Sequence, residues 1–299
     1  MSDLEVRQLR YFVAVAEELH FGRAAERLGM AQPPLSRAIR DLERQLGVQL
    51  LERTTRQVTL TRAGSALLRD GQAALDAVAA AGRRAQHAGK AEPALRLAMK
   101  ADYDAGLLPQ ILALYEQDEA AIPVTVHMGR RDEQAPALRD GRADVALAML
   151  PIDDRDLDFE PLLTEPRLAA LPATDPLAAR ESLCLDDLAG RLGPDDLDPP
   201  RQQLDLAQIF NLVELGQLVW FPPTSVARRH VRPDIAYRPV ADLEPTTLAV
   251  VWPTQARSPA VAAFVRAAMA VAVRRADSGS DRDKVTPIHG GSAVARRIR

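Results

Sequence analysis

The hydrophobic and polar positions of the first 46 residues predict three helices. Apolar residues recur at helical spacing from Glu5 to Glu18, and again in two shorter segments separated by Gly29. Gly29 can adopt the positive φ that ends a helix. Pro33 and Pro34 suit the first turn of a new helix, because that turn leaves its N–H groups unpaired. The second and third helices, within residues 21–46, therefore form a predicted helix-turn-helix.

The third helix has two faces of different chemistry. One face is apolar and is formed by Leu35, Ala38, Ile39, Leu42 and Leu46. The other carries polar and basic side chains and one proline, namely Pro33, Ser36, Arg37, Arg40 and Arg44. Because guanidinium groups match guanine edges and phosphates, this face is typical of a helix that lies in the major groove of DNA. A solvated charged face is the alternative, since amphipathic helices with a basic face are common.

A short alternating segment and a long helix follow Gly47. Residues 48–60 alternate loosely around a turn at residues 54–57, which predicts a two-stranded wing, with a plain surface hairpin as the alternative. Thr61 can cap a long helix over residues 62–88. Small and apolar residues recur along this helix at spacings of four and three, as in a heptad seam: Gly64, Leu68, Gly71, Leu75, Val78, Gly82 and Ala85.

This seam has two interpretations. A glycine inside a helix costs about 1 kcal/mol relative to alanine, so Gly71 and Gly82 indicate that another backbone comes close. We expect a second copy of the chain, with Leu68, Leu75 and Val78 in the dimer contact, because a symmetric DNA site needs two recognition helices about 34 Å apart. Packing of the seam against its own domain is the alternative.

The pattern changes after residues 87–93. Three segments read as strands, ALRLAMK, PVTVHMG and ADVALAML, and they alternate with helices predicted at Tyr103–Gln117 and Gln134–Arg139. Such alternation predicts a parallel sheet covered by helices. Residues 276–299 contain Gly, Ser and mixed charge without a period, and we expect them to be disordered.

Composition narrows the class of protein. The 299 residues are 47% hydrophobic, contain no apolar run long enough to cross a bilayer, and begin with a charged helix in place of a signal peptide. The single Cys184 excludes an internal disulfide, so we expect a cytoplasmic protein without a membrane partner. Residues 1–90 have 14 Lys and Arg against 10 Asp and Glu, net +4, and residues 91–299 have net −7. This asymmetry favours DNA phosphates as a partner of the first part.

The chain has no recognisable catalytic motif. GxSxG, GxxxxGK[ST], HExxH and CxxC are absent, and the five histidines are scattered without the spacing of metal ligands. We therefore expect no enzyme activity, no metal and no cofactor. Besides a regulated DNA-binding protein, two functions stay open: a small-molecule binding protein or enzyme with an accessory DNA module, and a constitutive architectural DNA binder.

Several stretches resemble a known family. The runs LRYFVAVAEELHFGRAAERL and QPPLSRAIRDLERQLGVQLLERTTRQVTLTRAG resemble the DNA-binding end of the LysR-type transcriptional regulators. The match departs at Ala31, where the family usually has a Ser or Thr that caps the helix. Such a cap stabilises a helix by about 1 kcal/mol. Further along, LRDGRADVALAML and FNLVELGQLVWFPPTSVARR resemble the effector domain of the family. The resemblance covers about residues 4–275.

The resemblance implies an architecture. It consists of an N-terminal all-α winged helix-turn-helix (1–61), a linker and dimerisation helix (62–90), and an α/β effector domain that is similar to a periplasmic binding protein (91–275). Its first lobe is expected at residues 94–165 and 247–275, and its second lobe at 166–246. Because the chain between Gly190 and Asp205 is short, we expect a shortened second lobe.

The resemblance also implies binding residues and partners. Double-stranded DNA with an imperfect palindromic site is the implied main partner, and the residues expected to contact it are Gln32, Pro33, Ser36, Arg37, Arg40, Arg53, Thr54 and Arg56. Arg37 is expected to read a base, whereas Arg53 and Arg56 on the wing are expected to contact phosphates. The resemblance also implies a homodimer or homotetramer and a small-molecule co-inducer. RNA polymerase is a further partner that the resemblance admits.

A ligand crevice is expected between the two lobes, because open α/β sheets bind ligands beyond the carboxyl ends of their strands. The resemblance assigns seven positions to this crevice: Lys100, Ala101, Asp102, Arg130, Arg131, Pro223 and Thr224. Where the family commonly has Ser or Thr, this chain has Lys100 and Asp102. Cationic side chains would suit a carboxylate, but Asp102, expected at a helix N-terminus, already occupies the position favourable to an anion. The class of effector therefore stays open.

Overall fold

The computed structural model describes residues 4–53, 57–89, 93–130, 132–191, 193 and 204–278. The chain folds as two compact units, Met1–Gln86 with Arg139–Gly141 (unit 1) and His87–Leu138 with Arg142–Arg299 (unit 2). In the described part, no helix is both long and apolar enough to cross a membrane. Three predictions fall outside the described residues: the DNA contacts of Thr54 and Arg56, the crevice position of Arg131, and the disorder of the tail beyond residue 278. For residues 276–278 the predicted disorder is wrong, because the last described helix continues to Ser278.

Unit 1 contains the predicted helix-turn-helix and wing. Its elements are α1 (Val6–Glu18), α2 (Phe21–Arg27), α3 (Gln32–Leu46), β1 (Leu51–Arg53), β2 (Val58–Leu60) and α4 (Arg62–Ala88). The turn between α2 and α3 contains Gly29 at φ 64°, and α3 then begins with two prolines in its first turn. Ala31 gives α3 no side-chain cap, as the sequence indicates. The strands β1 and β2 pair antiparallel as the wing.

The core of unit 1 lies between α1, α2, α3 and β1. Its fully buried members include Phe12, Leu35, Ile39, Leu42 and Leu51. These residues come from the apolar faces that the helical periodicity predicts, and burying each large side chain stabilises the fold by about 1.5–3 kcal/mol.

The seam of α4 makes contacts within its own unit. Leu68 and Leu75, which the sequence assigns to a dimer contact, are partly buried and pack against the core of unit 1, and their part in a dimer contact stays a prediction. A Cβ added to Gly71 would lie 3.2 Å from Cδ2 of Leu9, and one added to Gly64 would lie 2.0 Å from the backbone oxygen of Leu50. These two glycines accommodate α1 and the start of β1. Val78 is 49% exposed, so the outward part of the seam begins there.

The first lobe of unit 2 is built on a five-stranded sheet. Its strands are β3 (Leu95–Lys100), β4 (Val124–Gly129), β5 (Val145–Leu150), β6 (Leu157–Glu165) and β9 (Thr246–Pro253), in the order β4-β3-β5-β9-β6. β3, β4 and β5 are parallel, as predicted, but β9 runs antiparallel to both β5 and β6. The sheet is therefore mixed. The helices α5 (Leu108–Tyr115), α6 (Gln134–Arg139) and α9 (Pro259–Ser278) complete this lobe.

The segment between β3 and α5 differs from the prediction. The helix expected to begin at Tyr103 begins at Leu108, and the residues before it form a loop. Asp102, Ala105 and Gly106 have φ values of 65°, 51° and 74°, which a right-handed helix excludes. Asp102 is consequently not at a helix N-terminus, and the expectation that it occupies the anion position of a helix dipole is wrong.

The second lobe of unit 2 has a smaller sheet than the first among the described residues, and its predicted shortening after Gly190 falls largely on residues outside the described part. Among the described residues it contains a two-stranded antiparallel sheet of β7 (Leu168–Pro172) and β8 (Ile235–Pro239), with α7 (Leu206–Glu214) and α8 (Thr224–Arg229). Two short 3₁₀ helices, Pro176–Ala179 and Leu185–Leu188, complete it. Phe210 and Trp220 form the centre of its core, with their rings 5.2 Å apart in an edge-to-face arrangement.

Candidate functional site

The helix α3 presents the predicted polar face to solvent. Gln32, Pro33, Arg37 and Arg40 are exposed and Ser36 is half-buried, whereas the opposite face is buried in the core. Nε of Arg40 donates a hydrogen bond to the backbone oxygen of Ser36 at 3.2 Å, which holds that guanidinium along the helix. The helix is 15 residues long, so its N-terminus also carries the positive end of a helix dipole. The arrangement presents hydrogen-bond donors and positive charge on one convex surface.

Glu43, on α3, joins the recognition helix to the wing. Its Oε1 accepts hydrogen bonds from the N–H groups of Leu50 and Leu51 at 3.0 and 3.1 Å. Its Oε2 accepts a third from Nη2 of Arg53 at 2.8 Å. The Arg53 guanidinium also lies 4.9 Å from the ring centre of Phe21, at the start of α2. One carboxylate and one guanidinium therefore connect α2, α3 and β1, and we call these contacts the Glu43 clamp.

The clamp changes the interpretation of Arg53. The side chain was expected to contact DNA phosphates, but only 26% of it is exposed, and its contacts with Glu43 and Phe21 are internal. We therefore assign Arg53 a positioning role. Sequence reasoning missed Glu43. The signal that could have found it is an acidic residue beside the buried Leu42, at the edge of the apolar face of α3.

Most of the predicted crevice positions in unit 2 already have contacts within the chain. Nζ of Lys100 lies 4.1 Å from the ring centre of Tyr103. Both the N–H and Oγ1 of Thr224 donate to the backbone oxygen of Pro166, at 3.0 and 2.9 Å. Ala101 and Arg130 are exposed, and Pro223 is buried at the start of α8. Two polar side chains among the predicted crevice positions, Lys100 and Thr224, are therefore already engaged within the chain, and the assignment of these positions to a crevice stays a prediction.

Asp102 connects the two lobes. Its Oδ1 accepts a hydrogen bond from Nη1 of Arg229 at 3.0 Å, and its Oδ2 lies 3.0 Å from Nε2 of His230. Burial raises the pKa of the Asp102 carboxyl, but the hydrogen bonds and charges of Arg229 and His230 lower that pKa by more, so the net shift is downward. Asp102 is therefore held as a carboxylate. Sequence reasoning named Asp102 but not its two partners.

A second carboxylate lies at the start of α8. Glu165, only 5% exposed, accepts hydrogen bonds from the N–H and Oγ of Ser225 at 2.7 and 2.6 Å. These bonds satisfy the carboxylate, as buried charges require. The N–H of Ser225, which a bound anion could otherwise use, is thus already paired with a side chain of the same protein.

The described residues thus form a winged helix-turn-helix, a long helix and a two-lobed α/β unit. Two family models match in this order: residues 6–65 match the bacterial regulatory helix-turn-helix protein, lysR family, and residues 88–191 match the LysR substrate binding domain. The chain belongs to the LysR family.

Individual relatives agree with this assignment. The chain is 37% identical over 188 residues to the HTH-type transcriptional regulator AlsR of Bacillus subtilis (strain 168), covering 62% of each protein. It thus spans less than two thirds of the length of that relative. It is 30% identical over 273 residues to a hydrogen peroxide-inducible genes activator of Pectobacterium carotovorum subsp. carotovorum, covering 83% of this chain and 90% of the relative. The crystal structure of a mutant of full-length BenM matches with a TM-score of 0.52 at 26% identity, covering 92% of this chain and 97% of that chain.

Proposed function

We propose that this protein is a sequence-specific DNA-binding transcriptional regulator of bacteria, with α3 as its recognition helix. The observation that supports this most directly is the exposed face of Gln32, Pro33, Arg37 and Arg40, opposite a buried apolar face. A helix of this kind can enter the major groove, where arginine pairs with O6 and N7 of guanine. The names of the relatives, which are regulators and activators, support a function other than catalysis. As a DNA-binding regulator, it would act in the cytoplasm.

The roles of individual residues follow from their positions. Arg37 reads a base, and Gln32, Pro33, Ser36 and Arg40 complete the contact in the groove. Thr54 and Arg56, which follow β1 in the sequence, contact phosphates, whereas Arg53 acts through the Glu43 clamp. A dimer presents two recognition helices to the two halves of an imperfect palindrome.

Arg37→Ala should relax sequence specificity. We expect a loss of about 1–3 kcal/mol on the preferred site and little change on scrambled DNA, because one base contact is removed. Arg56→Ala should weaken binding to the preferred and the scrambled duplex alike, because a phosphate contact carries no sequence information. It should also reduce by about 1 the slope of the logarithm of the binding constant against the logarithm of the salt concentration. The preferred site would be selected from a random duplex library with the wild-type protein, and affinities measured by fluorescence anisotropy at several salt concentrations.

The control for both variants is Arg69→Ala, which removes the same charge from an exposed position on α4. It should leave the affinities for the preferred and the scrambled duplex, and the salt slope, nearly unchanged. An equal loss on both duplexes for Arg37→Ala would contradict its role as a base reader. Failure of the library to yield any enriched sequence would contradict the proposed function itself.

We further propose that the outward part of α4 holds a homodimer, with effector domains able to join two dimers into a tetramer. Val78→Glu should lower the mass measured by light scattering to that of a smaller species, because the substitution places two like charges in an apolar contact. The stability of the fold should change by no more than about 0.5 kcal/mol, since Val78 is largely exposed within its own chain. Ala73→Glu, at an exposed position of the same helix well away from the Val78 face, is the matched control. An unchanged mass for Val78→Glu would place the dimer contact elsewhere.

We propose in addition that unit 2 is a regulatory unit that responds to a small molecule, and the match of residues 88–191 to the LysR substrate binding domain supports this proposal. The effector would bind beside Lys100, Ala101, Arg130, Arg131, Pro223 and Thr224, and we propose no cofactor besides it. An effector acts on α3 only through a difference in its affinity for two arrangements of the protein. A constitutive DNA binder is the second candidate, and the contacts of Asp102 with the other lobe favour it, because they join the two lobes without a ligand.

A further inference from the structure

The loop between β3 and α5 crosses from the first lobe of unit 2 into the second. Tyr103, in this loop, is only 8% exposed and belongs to the hydrophobic cluster that contains Phe210 and Trp220 of the second lobe. Two non-glycine residues of the loop, Asp102 and Ala105, have positive φ. Such a backbone costs free energy and persists only where tertiary contacts stabilise it. The insertion of Tyr103 is one of those contacts.

The polar contacts of the loop are the second source of stabilisation. Both carboxyl oxygens of Asp102 are used, one by Arg229 and one by His230, at the end of α8. The same Nη1 of Arg229 lies 2.9 Å from Oδ1 of Asp104, a charge contact without the alignment of a hydrogen bond. The ring of His230 also packs on Phe210, with the ring centres 5.1 Å apart. The carboxylate of Asp102 is thus bound on two sides by a preorganised pair of donors from the other lobe.

A guanidinium and an imidazole that converge on one carboxylate form a carboxylate-binding site. Here the occupant comes from the chain itself. We propose that Asp102 is an internal ligand that joins the two lobes, and that Arg229 and His230 would bind a free carboxylate if the side chain of Asp102 were removed. This contact closes the two lobes on each other without an external anion. That this closure sets the activity of the regulator rests on the proposed function.

The test uses the full-length protein with the substitution Asp102→Gly, because glycine accepts φ 65° and leaves space for a small anion. Thermal unfolding should show a Tm of unit 2 lower by about 3–6 °C, since a contact between two lobes is lost. Sodium formate or acetate, titrated to about 200 mM, should restore at least a third of that loss in a saturable manner, as expected for a ligand that binds only the folded state. Sodium chloride at the same ionic strength should not.

Two controls assign the site. In the double variant Asp102→Gly with Arg229→Gln, formate should give no recovery beyond that of chloride, because one of the two donors is gone. Asp118→Asn breaks an ion pair of 2.7 Å between Asp118 and Arg266 that lies within the first lobe, and formate should not stabilise that variant either. The wild type should respond equally to formate and chloride, because its site is occupied.

The proposal would be overturned by a Tm of Asp102→Gly equal to that of the wild type, or by identical effects of formate and chloride on it. Should the glycine variant fail to fold, Asp102→Asn replaces it, since asparagine tolerates the left-handed region. That variant should unfold at a lower temperature than the wild type, and an unchanged Tm would again contradict an internal ligand.

These measurements contain no DNA, so they do not depend on whether the protein is a regulator. A separate experiment measures the affinity of Asp102→Gly for the selected duplex with and without formate. If closure regulates DNA binding, formate should change that affinity by about fivefold or more. Rescue of the Tm by formate without any effect on DNA binding would support Asp102 as an internal ligand and contradict its regulatory role. DNA binding without rescue of the Tm by formate would contradict the internal ligand but not the proposed function.

Discussion

Glu43→Ala should lower the free energy of unfolding of unit 1 by about 2–4 kcal/mol and weaken DNA binding on every sequence. The substitution leaves three donors without their acceptor: the N–H groups of Leu50 and Leu51 and the guanidinium of Arg53. Leaving a buried donor unpaired costs about 1–3 kcal/mol. The total loss of stability stays below the sum of the three separate costs. The side chains of Glu43 and Arg53 are 15% and 26% exposed, so water can reach part of the site.

The DNA-binding part of this prediction separates positioning from simple stability. At a temperature where both proteins are folded, Glu43→Ala should lose affinity for selected and scrambled duplexes alike, because the wing is no longer fixed relative to α3. Glu43→Gln should have a smaller effect, since its amide oxygen can still accept from the two N–H groups. Stability is measured by urea denaturation and affinity by fluorescence anisotropy.

Glu52→Ala is the matched control for Glu43→Ala. It removes the same type of side chain from an exposed position in β1. Its stability should stay within about 0.5 kcal/mol of the wild type. A double-mutant cycle of Glu43→Ala and Arg53→Ala should give a coupling of about 1 kcal/mol or more. Additive effects in that cycle would contradict the clamp.

Gly64→Ala should destabilise unit 1 by about 3 kcal/mol or more, although alanine is the better helix former. The added Cβ would lie 2.0 Å from the backbone oxygen of Leu50, whereas ordinary contacts begin at 3.4 Å. That oxygen already accepts from the N–H of Thr61 at 3.0 Å, so it cannot move without breaking the junction between β1 and α4. The first turn of α4 must therefore shift away from the wing, and the Tm of unit 1 should fall by more than about 10 °C.

Gly71→Ala is the graded control for Gly64→Ala. In the same helix, its added Cβ would lie 3.2 Å from Cδ2 of Leu9, the flexible end of a side chain. The contact can relax, and the gain of about 1 kcal/mol in helix propensity offsets it, so the stability should be nearly unchanged. Differential scanning calorimetry measures the Tm of unit 1 in both variants and in the wild type. Equal effects of the two substitutions would show that the close approach at Leu50 does not control the stability of unit 1.

The local elements of this protein could be read directly from its sequence. Gly29, with φ 64°, and the prolines that follow it determine where α2 ends and α3 begins, because these residues act through their own backbone. The periodicity of α3 determines which face of that helix is buried. The exposed position of Arg37 follows from the same periodicity.

Only the tertiary structure decided which partner each of these surfaces meets. A seam with spacings of four and three serves a second chain and a neighbouring core equally well, so the sequence could not show that Leu68 and Leu75 pack on their own unit. Asp102 meets Arg229, 127 positions further along the chain, because the loop after β3 adopts positive φ values that its composition does not demand. Periodicity records the geometry of one element, whereas these contacts depend on how distant elements pack, and no local pattern contains that information.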